Sequence, residues 1–130
     1  MNYKGVIIGE SLSDKSVLDD VKIISTKIEE VTPTHQTPYL KQWTLHTVEI
    51  PEGNVDQVTE KLSKSFDKEH NDWYADFKNE SFHYIIFPNK IFKVDLQNPI
   101  LYQEAREYGI SIGIPEYQLD FAPTDRVSSN

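Results

Sequence analysis

The chain is 130 residues long, carries a net charge of −8, and 38% of its residues are hydrophobic. This composition is globular rather than disordered, and the size predicts a single domain over residues 1–121, followed by a frayed tail over 122–130. The chain contains no cysteine, which excludes disulfides, thiolate nucleophiles and cysteine-ligated zinc, and its acidity disfavours nucleic acid or a membrane surface as a partner.

The first part of the chain predicts three strands. An apolar run within Tyr3–Gly9 predicts the first strand, and the β-branched segment Lys22–Val31 predicts a half-exposed second strand. Between them, Ser13–Val21 can form about one helical turn. Two prolines predict a loop over Thr32–Lys41, and Gln42–Ile50 predicts the third strand.

A helix is predicted to begin at Asn54, whose side chain can cap it as part of a capping box. The apolar residues that follow recur at spacings of three and four, which is typical of a helix with one buried face. This apolar stripe consists of Val55, Val58, Leu62 and Phe66.

The segment Asp72–Asp95 is rich in aromatic residues and predicts an antiparallel meander of three strands. Two polar breaks divide it into runs over Trp73–Lys78, Phe82–Phe87 and Ile91–Asp95. In the middle run, both alternating sets of side chains are apolar or aromatic. This pattern predicts a strand that is covered, at least partly, on both faces.

The last part of the chain predicts a second helix that begins at Asn98-Pro99 and ends at Gly109. Alternating isoleucines from Ile110 to Ile114 predict one more short strand. The main elements follow the order βββαβββα. They predict an α+β fold, with an antiparallel (mixed at most) sheet of about six strands and two main helices packed on one face.

Two segments match catalytic motifs by letter but not in context. Residues Gly9 to Ser16 nearly match a phosphate-binding loop, but Asp14 replaces the second glycine and would repel phosphate. Ser111 lies in a GxSxG pattern, yet a helix precedes this serine where the motif requires a strand. We therefore expect neither nucleotide binding nor a serine nucleophile at these positions.

Polar side chains on the predicted strands are the candidate catalytic residues. If their strands are neighbours, His46 and His83 could converge in a general acid–base or metal site. The third group could be a carboxylate, from Glu10, Glu49 or Asp76. The histidine spacing contains no local metal motif, so we predict no metal and no cofactor. Alternatively, each histidine is half-buried and bonds a backbone carbonyl.

Asp76 and several rings are the candidate ligand-binding residues. Asp76 either faces a ligand or forms an exposed ion pair with Lys78 or Lys93. The rings exceed what the core needs, so some should line a groove, with the loop Pro33–Leu40 as a flap over it. The predicted lining consists of Trp43, Trp73, Asp76, His83 and Tyr84.

No motif identifies the function, and three hypotheses remain. The preferred one is a non-catalytic binding module that holds a small molecule or a partner peptide on this sheet face. The second is an enzyme in which a strand histidine is the general base and a carboxylate orients it, with His46, Glu49, Asp76 and His83 as candidates. The third is a structural or regulatory homo-oligomer that buries the aromatic face between subunits. With neither a signal sequence nor a membrane-spanning segment in view, we expect a cytoplasmic protein.

Overall fold

A computed structural model describes residues 1–30, 42–67, 73–98, 100–114 and 119. Its helices and strands are β1 (Tyr3–Ile8), β2 (Lys22–Glu30), β3 (Gln42–Ile50), α1 (Val55–Ser63), β4 (Ala75–Lys78), β5 (Phe82–Phe87), β6 (Lys90–Asp95) and α2 (Leu101–Ser111). The six strands form one sheet in the order β2-β3-β1-β4-β5-β6, and all neighbouring strands are antiparallel. The predicted α+β fold with an antiparallel sheet is confirmed. The predicted loop and flap between β2 and β3, and the predicted tail, lie outside the described residues.

Strand β1 lies inside the sheet and joins its two halves. One half is the pair β2–β3, and the other is the meander β4–β5–β6 that the aromatic segment predicted. Within β1, Val6 lies opposite Thr47 of β3 and opposite Asp76 of β4. The first strand of the sequence therefore brings the β2–β3 pair and the aromatic meander into one sheet.

The two helices pack on opposite faces of the sheet, so the prediction that both pack on one face is wrong. Helix α1 shares a buried cluster with Tyr84 and Ile86 of β5. Helix α2 shares a second buried cluster with Ile85 and Phe87 of the same strand. Successive side chains of a strand point to opposite faces, which places one helix on each side. We call these sides the α1 face and the α2 face, and β5 is covered on both, as predicted.

The apolar stripe of α1 faces the sheet as predicted, since all four of its residues are buried: Val55, Val58, Leu62 and Phe66. The predicted cap is wrong, because the Asn54 side chain makes no capping bond. Asn54 instead ends a 3₁₀ turn, in which its backbone N–H donates to the Pro51 carbonyl at 2.9 Å. Neither helix of the described chain is long and apolar enough to cross a membrane.

Helix α2 continues past Gly109 to Ser111, so the predicted strand from Ile110 to Ile114 is wrong. Gly113 has a φ of 99° and provides the left-handed residue that ends the helix. Its N–H donates to the Ile110 carbonyl at 3.1 Å, and the Ile114 N–H donates to the Gly109 carbonyl at 3.0 Å. These two bonds form a Schellman motif. The sequence predicted this motif with Gly109 as its glycine, whereas the structure forms it at Gly113, four residues later.

Gly5 lets β1 approach β4 closely. A Cβ atom at this position would collide with the carbonyl oxygen of Asp76 and would lie 2.6 Å from a ring carbon of Phe77. Both obstacles belong to the middle of the sheet, where the backbone cannot easily move. The absence of a side chain at Gly5 therefore positions the strand that carries Asp76.

We expect Gly5→Ala to lower the free energy of unfolding by about 1–3 kcal/mol, the usual cost of overpacking a core. The control is Gly53→Ala, because nothing lies within 4 Å of a Cβ atom added there. Urea unfolding followed by tryptophan fluorescence measures both variants. Equal stability of the two variants would contradict the close approach of β1 and β4.

Candidate functional site

The centre of the candidate site is a buried chain of hydrogen bonds on the α2 face. The His83 side chain is 0% exposed. Its Nε2 atom lies 2.6 Å from Oδ2 of Asp76, and its Nδ1 atom lies 2.7 Å from the hydroxyl oxygen of Tyr102. Strand β5, strand β4 and helix α2 each supply one member of this chain.

The register of β4 and β5 brings Asp76 next to His83. Asp76 lies opposite Ile85, two residues along β5 from His83, so the two side chains are diagonal neighbours on one face. Tyr102 lies in the first turn of α2 and is buried. Its ring meets the His83 ring edge-on, with 5.5 Å between the centroids. The His83 side chain therefore lies between Asp76 of β4 and Tyr102 of α2.

The two partners of His83 determine where its hydrogens lie. An ionised carboxylate only accepts hydrogen bonds, so we assign the ring hydrogen to Nε2, which donates to Asp76. The Nδ1 atom of a neutral ring is an acceptor, and the Tyr102 hydroxyl can donate to it. Because the ring is fully buried and both nitrogens are bonded, His83 orients Asp76 and does not itself reach a bound molecule.

Asp76 connects the buried chain to the surface. Its side chain is 34% exposed and lines an open cleft of about 940 Å³. The predicted alternative of an ion pair with Lys93 is wrong, since Lys93 belongs to the other face and lies 4.3 Å above the Phe82 ring. The polar lining of the cleft comprises Asn2, Lys4, Glu49, Lys78, Asn79 and Glu80 together with Asp76.

Two lysines face each other directly in this cleft. Lys4 of β1 lies opposite Lys78 of β4 on one side and opposite Glu49 of β3 on the other. Like charges directly opposite in a sheet repel each other, and an anion bound between them relieves the repulsion. The cleft therefore combines a lysine pair with an anchored carboxylate at Asp76.

Asn79 stabilises the turn between β4 and β5 at the edge of the cleft. Its Oδ1 atom accepts hydrogen bonds from the N–H groups of Ser81 and Phe82, both at 2.8 Å. Its Nδ2 atom donates to the Met1 carbonyl at 3.1 Å. These bonds close an Asx-type turn, which holds β4 and β5 in the register that the Asp76–His83 contact requires.

His46 and His83 do not converge, so the predicted two-histidine site is wrong. His46 lies opposite Ile7, a buried residue of the α1 face, whereas His83 belongs to the α2 face. Strands β1 and β4 also separate β3 from β5. The Nδ1 atom of His46 instead lies 3.0 Å from the Thr26 hydroxyl. Among the described residues, no group of three His, Asp or Glu side chains could hold a metal ion.

Each of the two other candidate carboxylates accepts hydrogen bonds from a residue beside it in the fold. Glu49 accepts a hydrogen bond from Asn2 Nδ2 at 2.7 Å, and this bond lowers the pKa of Glu49. Glu10 accepts from the Thr44 N–H at 2.6 Å and from the Thr44 hydroxyl at 2.8 Å. Partial burial raises the pKa of Glu10, but the bonds from Thr44 outweigh it, so the net pKa lies below the ordinary value.

Most of the rings predicted to line a groove lie in the core. Trp73 and Tyr84 are buried, and Trp43 is half-buried against the Trp73 ring, with 5.7 Å between the centroids. The Tyr84 hydroxyl donates to Asp56 Oδ1 on α1 at 2.7 Å. Burial, together with this carboxylate, raises the pKa of Tyr84. Of the predicted lining, only Asp76 lines the cleft, and His83 contacts it from inside the protein.

Three residues of the site were not predicted from the sequence: Lys4, Asn79 and Tyr102. A signal existed for Asn79, because an asparagine between two strand-like runs favours an Asx turn. Lys4 and Tyr102 carry no local signal, since their roles depend on β1 lying beside β4 and on α2 covering β5.

The chain matches no protein-family model, no curated protein and no solved structure at a significant level.

We expect Tyr102→Phe to lower the free energy of unfolding by about 1–3 kcal/mol, because it removes the hydroxyl that forms a hydrogen bond with Nδ1 of the buried His83. Tyr108→Phe is the matched control on the same helix, where the ring packs against Phe87 and Phe92. Chemical denaturation compares the two variants. Equal losses would show that the hydroxyl of Tyr102 contributes nothing specific.

We expect Glu10→Gln to lower stability by about 1 kcal/mol at neutral pH, because the two hydrogen bonds from Thr44 go to different carboxylate oxygens and the amide replaces one of these with an NH2 group. A carboxylate with a lowered pKa stabilises the fold above its unfolded pKa, and this stabilisation is lost as the pH falls through the folded pKa. The difference from the unsubstituted protein should therefore shrink below the ordinary value of 4.5. Denaturant titrations across the acid range measure it, with the exposed Glu104→Gln as control. A pH-independent difference would contradict the ionised role of Glu10.

Proposed function

We propose that the protein is a non-catalytic binding module that holds a small zwitterionic molecule in the cleft beside Asp76. One observation carries this proposal: His83 anchors Asp76 from inside the protein, while about a third of the Asp76 side chain remains exposed to the cleft. An orienting partner in the core reduces the freedom that a surface carboxylate would lose on binding.

The cationic end of such a molecule fits Asp76. The bond from His83 occupies Oδ2, so Oδ1 is the atom that can accept a hydrogen bond from an ammonium group in the cleft. A hydrogen bond between an ammonium and a carboxylate is charge-assisted and roughly twice as strong as a neutral one. Asp76 therefore gives the cleft a preference for amines.

The anionic end fits the pair of Lys4 and Lys78. These residues lie opposite each other on neighbouring strands, so one carboxylate can contact both ammonium groups. Lys78 follows Asp76 by two residues on the same strand, a separation of about 7 Å between their Cα atoms. A zwitterion whose charges are separated by several bonds matches this spacing better than a compact one.

The cleft volume of about 940 Å³ is sufficient for a small molecule, whose sites span roughly 300–1,000 Å³. The enzyme hypothesis with a histidine base is less well supported, since a general base must reach the proton that it removes. His83 has no exposed surface, and His46 lies away from the cleft residues. Binding is therefore the function that this geometry favours.

Isothermal titration calorimetry with glycine, β-alanine and γ-aminobutyrate tests the proposal, with acetate and ethylamine as single-charge probes. We expect at least one zwitterion to bind about tenfold more tightly than either single-charge probe. Asp76→Asn should reduce its affinity to that of acetate, and Lys78→Gln to that of ethylamine.

The matched controls are Asp19→Asn and Lys15→Gln, which remove the same charges from exposed positions outside the cleft. They should leave the affinity unchanged. The proposal fails if no zwitterion binds at millimolar concentrations, or if the Asp76 and Lys78 variants bind as the control variants do. Circular dichroism of every variant shows whether its fold is retained.

A further inference from the structure

Strand β2 lies at one edge of the sheet that the described strands form. It is nine residues long, and among the described strands it has one neighbour, β3. Eight of its nine side chains are exposed. Edge strands present unpaired N–H and C=O groups, which are a template for another strand.

The exposed side chains of β2 include three isoleucines. Ile23, Ile24 and Ile28 are 43%, 48% and 62% exposed. The opposite edge strand, β6, is six residues long, packs against α2 and exposes Lys90, Lys93 and Asp95. Of the two edges, β2 therefore carries the longer and more apolar surface.

The regular part of β2 begins after a bulge. Its register with β3 shifts between Ile23 and Ser25, which leaves Ile24 as the extra residue. A bulge twists an edge and interferes with pairing. From Ser25 to Glu30, each residue lies opposite one residue of β3, so this segment is the part of the edge that a further strand can follow.

We propose that β2 pairs with β2 of a second copy of this chain, antiparallel and centred on Ile28, so that the two sheets become continuous. The charges of the strand favour this partner. In an antiparallel pair centred on Ile28, Lys27 of each copy lies opposite Glu29 of the other copy, and Thr26 lies opposite Glu30. Opposite charges in directly opposed positions stabilise an antiparallel pair, and like charges destabilise it.

The same register brings one pair of exposed isoleucines together. Ile28 of each copy lies directly opposite Ile28 of the other, on the two-fold axis, and buries the most exposed isoleucine of β2. The strand is thus self-complementary in charge and in apolar contact. This interface uses β2, whereas the proposed ligand cleft lies over β1 and β4, so either proposal can fail without the other.

A charge exchange tests the register by sedimentation velocity over a concentration series. Lys27→Glu and Glu29→Lys each place like charges opposite one another, and each should raise the dimer dissociation constant about tenfold or more. The double variant restores both opposite-charge pairs and should restore the dimer. A protein that is monomeric at hundreds of micromolar overturns the proposal, and so does a double variant as weak as the single ones.

Cysteine cross-linking provides a second test, because the natural chain contains no cysteine. Directly opposed residues of an antiparallel pair have Cα atoms about 4.5–5.5 Å apart, which is close enough for a disulfide. Ile28→Cys should therefore form a covalent dimer on mild oxidation, faster than the exposed control Ile100→Cys. Equal rates for the two variants would show that the chains do not pair through this register. A dimer that sedimentation detects but that Ile28→Cys does not cross-link would indicate another interface and would also overturn the proposal.

Discussion

Burial of strand β5 on both faces is the constraint on which the architecture depends. Its two alternating sets of side chains are apolar or aromatic, so each set requires a cover. Helix α1 covers Tyr84 and Ile86, and helix α2 covers Ile85 and Phe87. Burial of apolar surface is the dominant favourable contribution to folding, so this doubly covered strand stabilises the fold strongly. The meander is consequently the half of the sheet that a helix covers on each face.

His83 is the polar exception within this buried strand. A buried imidazole without partners would be costly, because its nitrogens would lose their hydrogen bonds to water. Tyr102 satisfies one nitrogen from the helix, and Asp76 satisfies the other from the neighbouring strand. The hydrogen bond from His83 offsets part of the cost of desolvating the Asp76 carboxylate. The other carboxylate oxygen can interact with groups in the cleft. One chain of hydrogen bonds therefore connects the buried face of β5 to the cleft at the surface.

The two halves of the sheet differ in how much of their surface is covered. The meander has a helix on each face, whereas β2 is exposed along almost its whole length and Val6 of β1 is exposed on the α2 face. The edge to which we assign self-pairing belongs to the less covered half, and the cleft lies where β1 joins the two halves. A covered half that positions polar groups beside a more open half is suited to binding, since the site is formed before a partner arrives.

Local patterns in the sequence determined the six strands of the sheet, the apolar stripe of α1 and the two-sided burial of β5, because periods of two and of three to four residues report which side chains share a face. They did not determine which element covers each face, so the placement of both helices on one side was wrong. They also could not show that β1 lies between β3 and β4, which separates His46 from His83 and brings Lys4 beside Lys78. The partnership of His83 with Asp76 and Tyr102 joins residues 7 and 19 positions apart. Such contacts depend on strand order and helix packing, which are set by the collective burial of the whole chain and leave no periodic trace in any one segment.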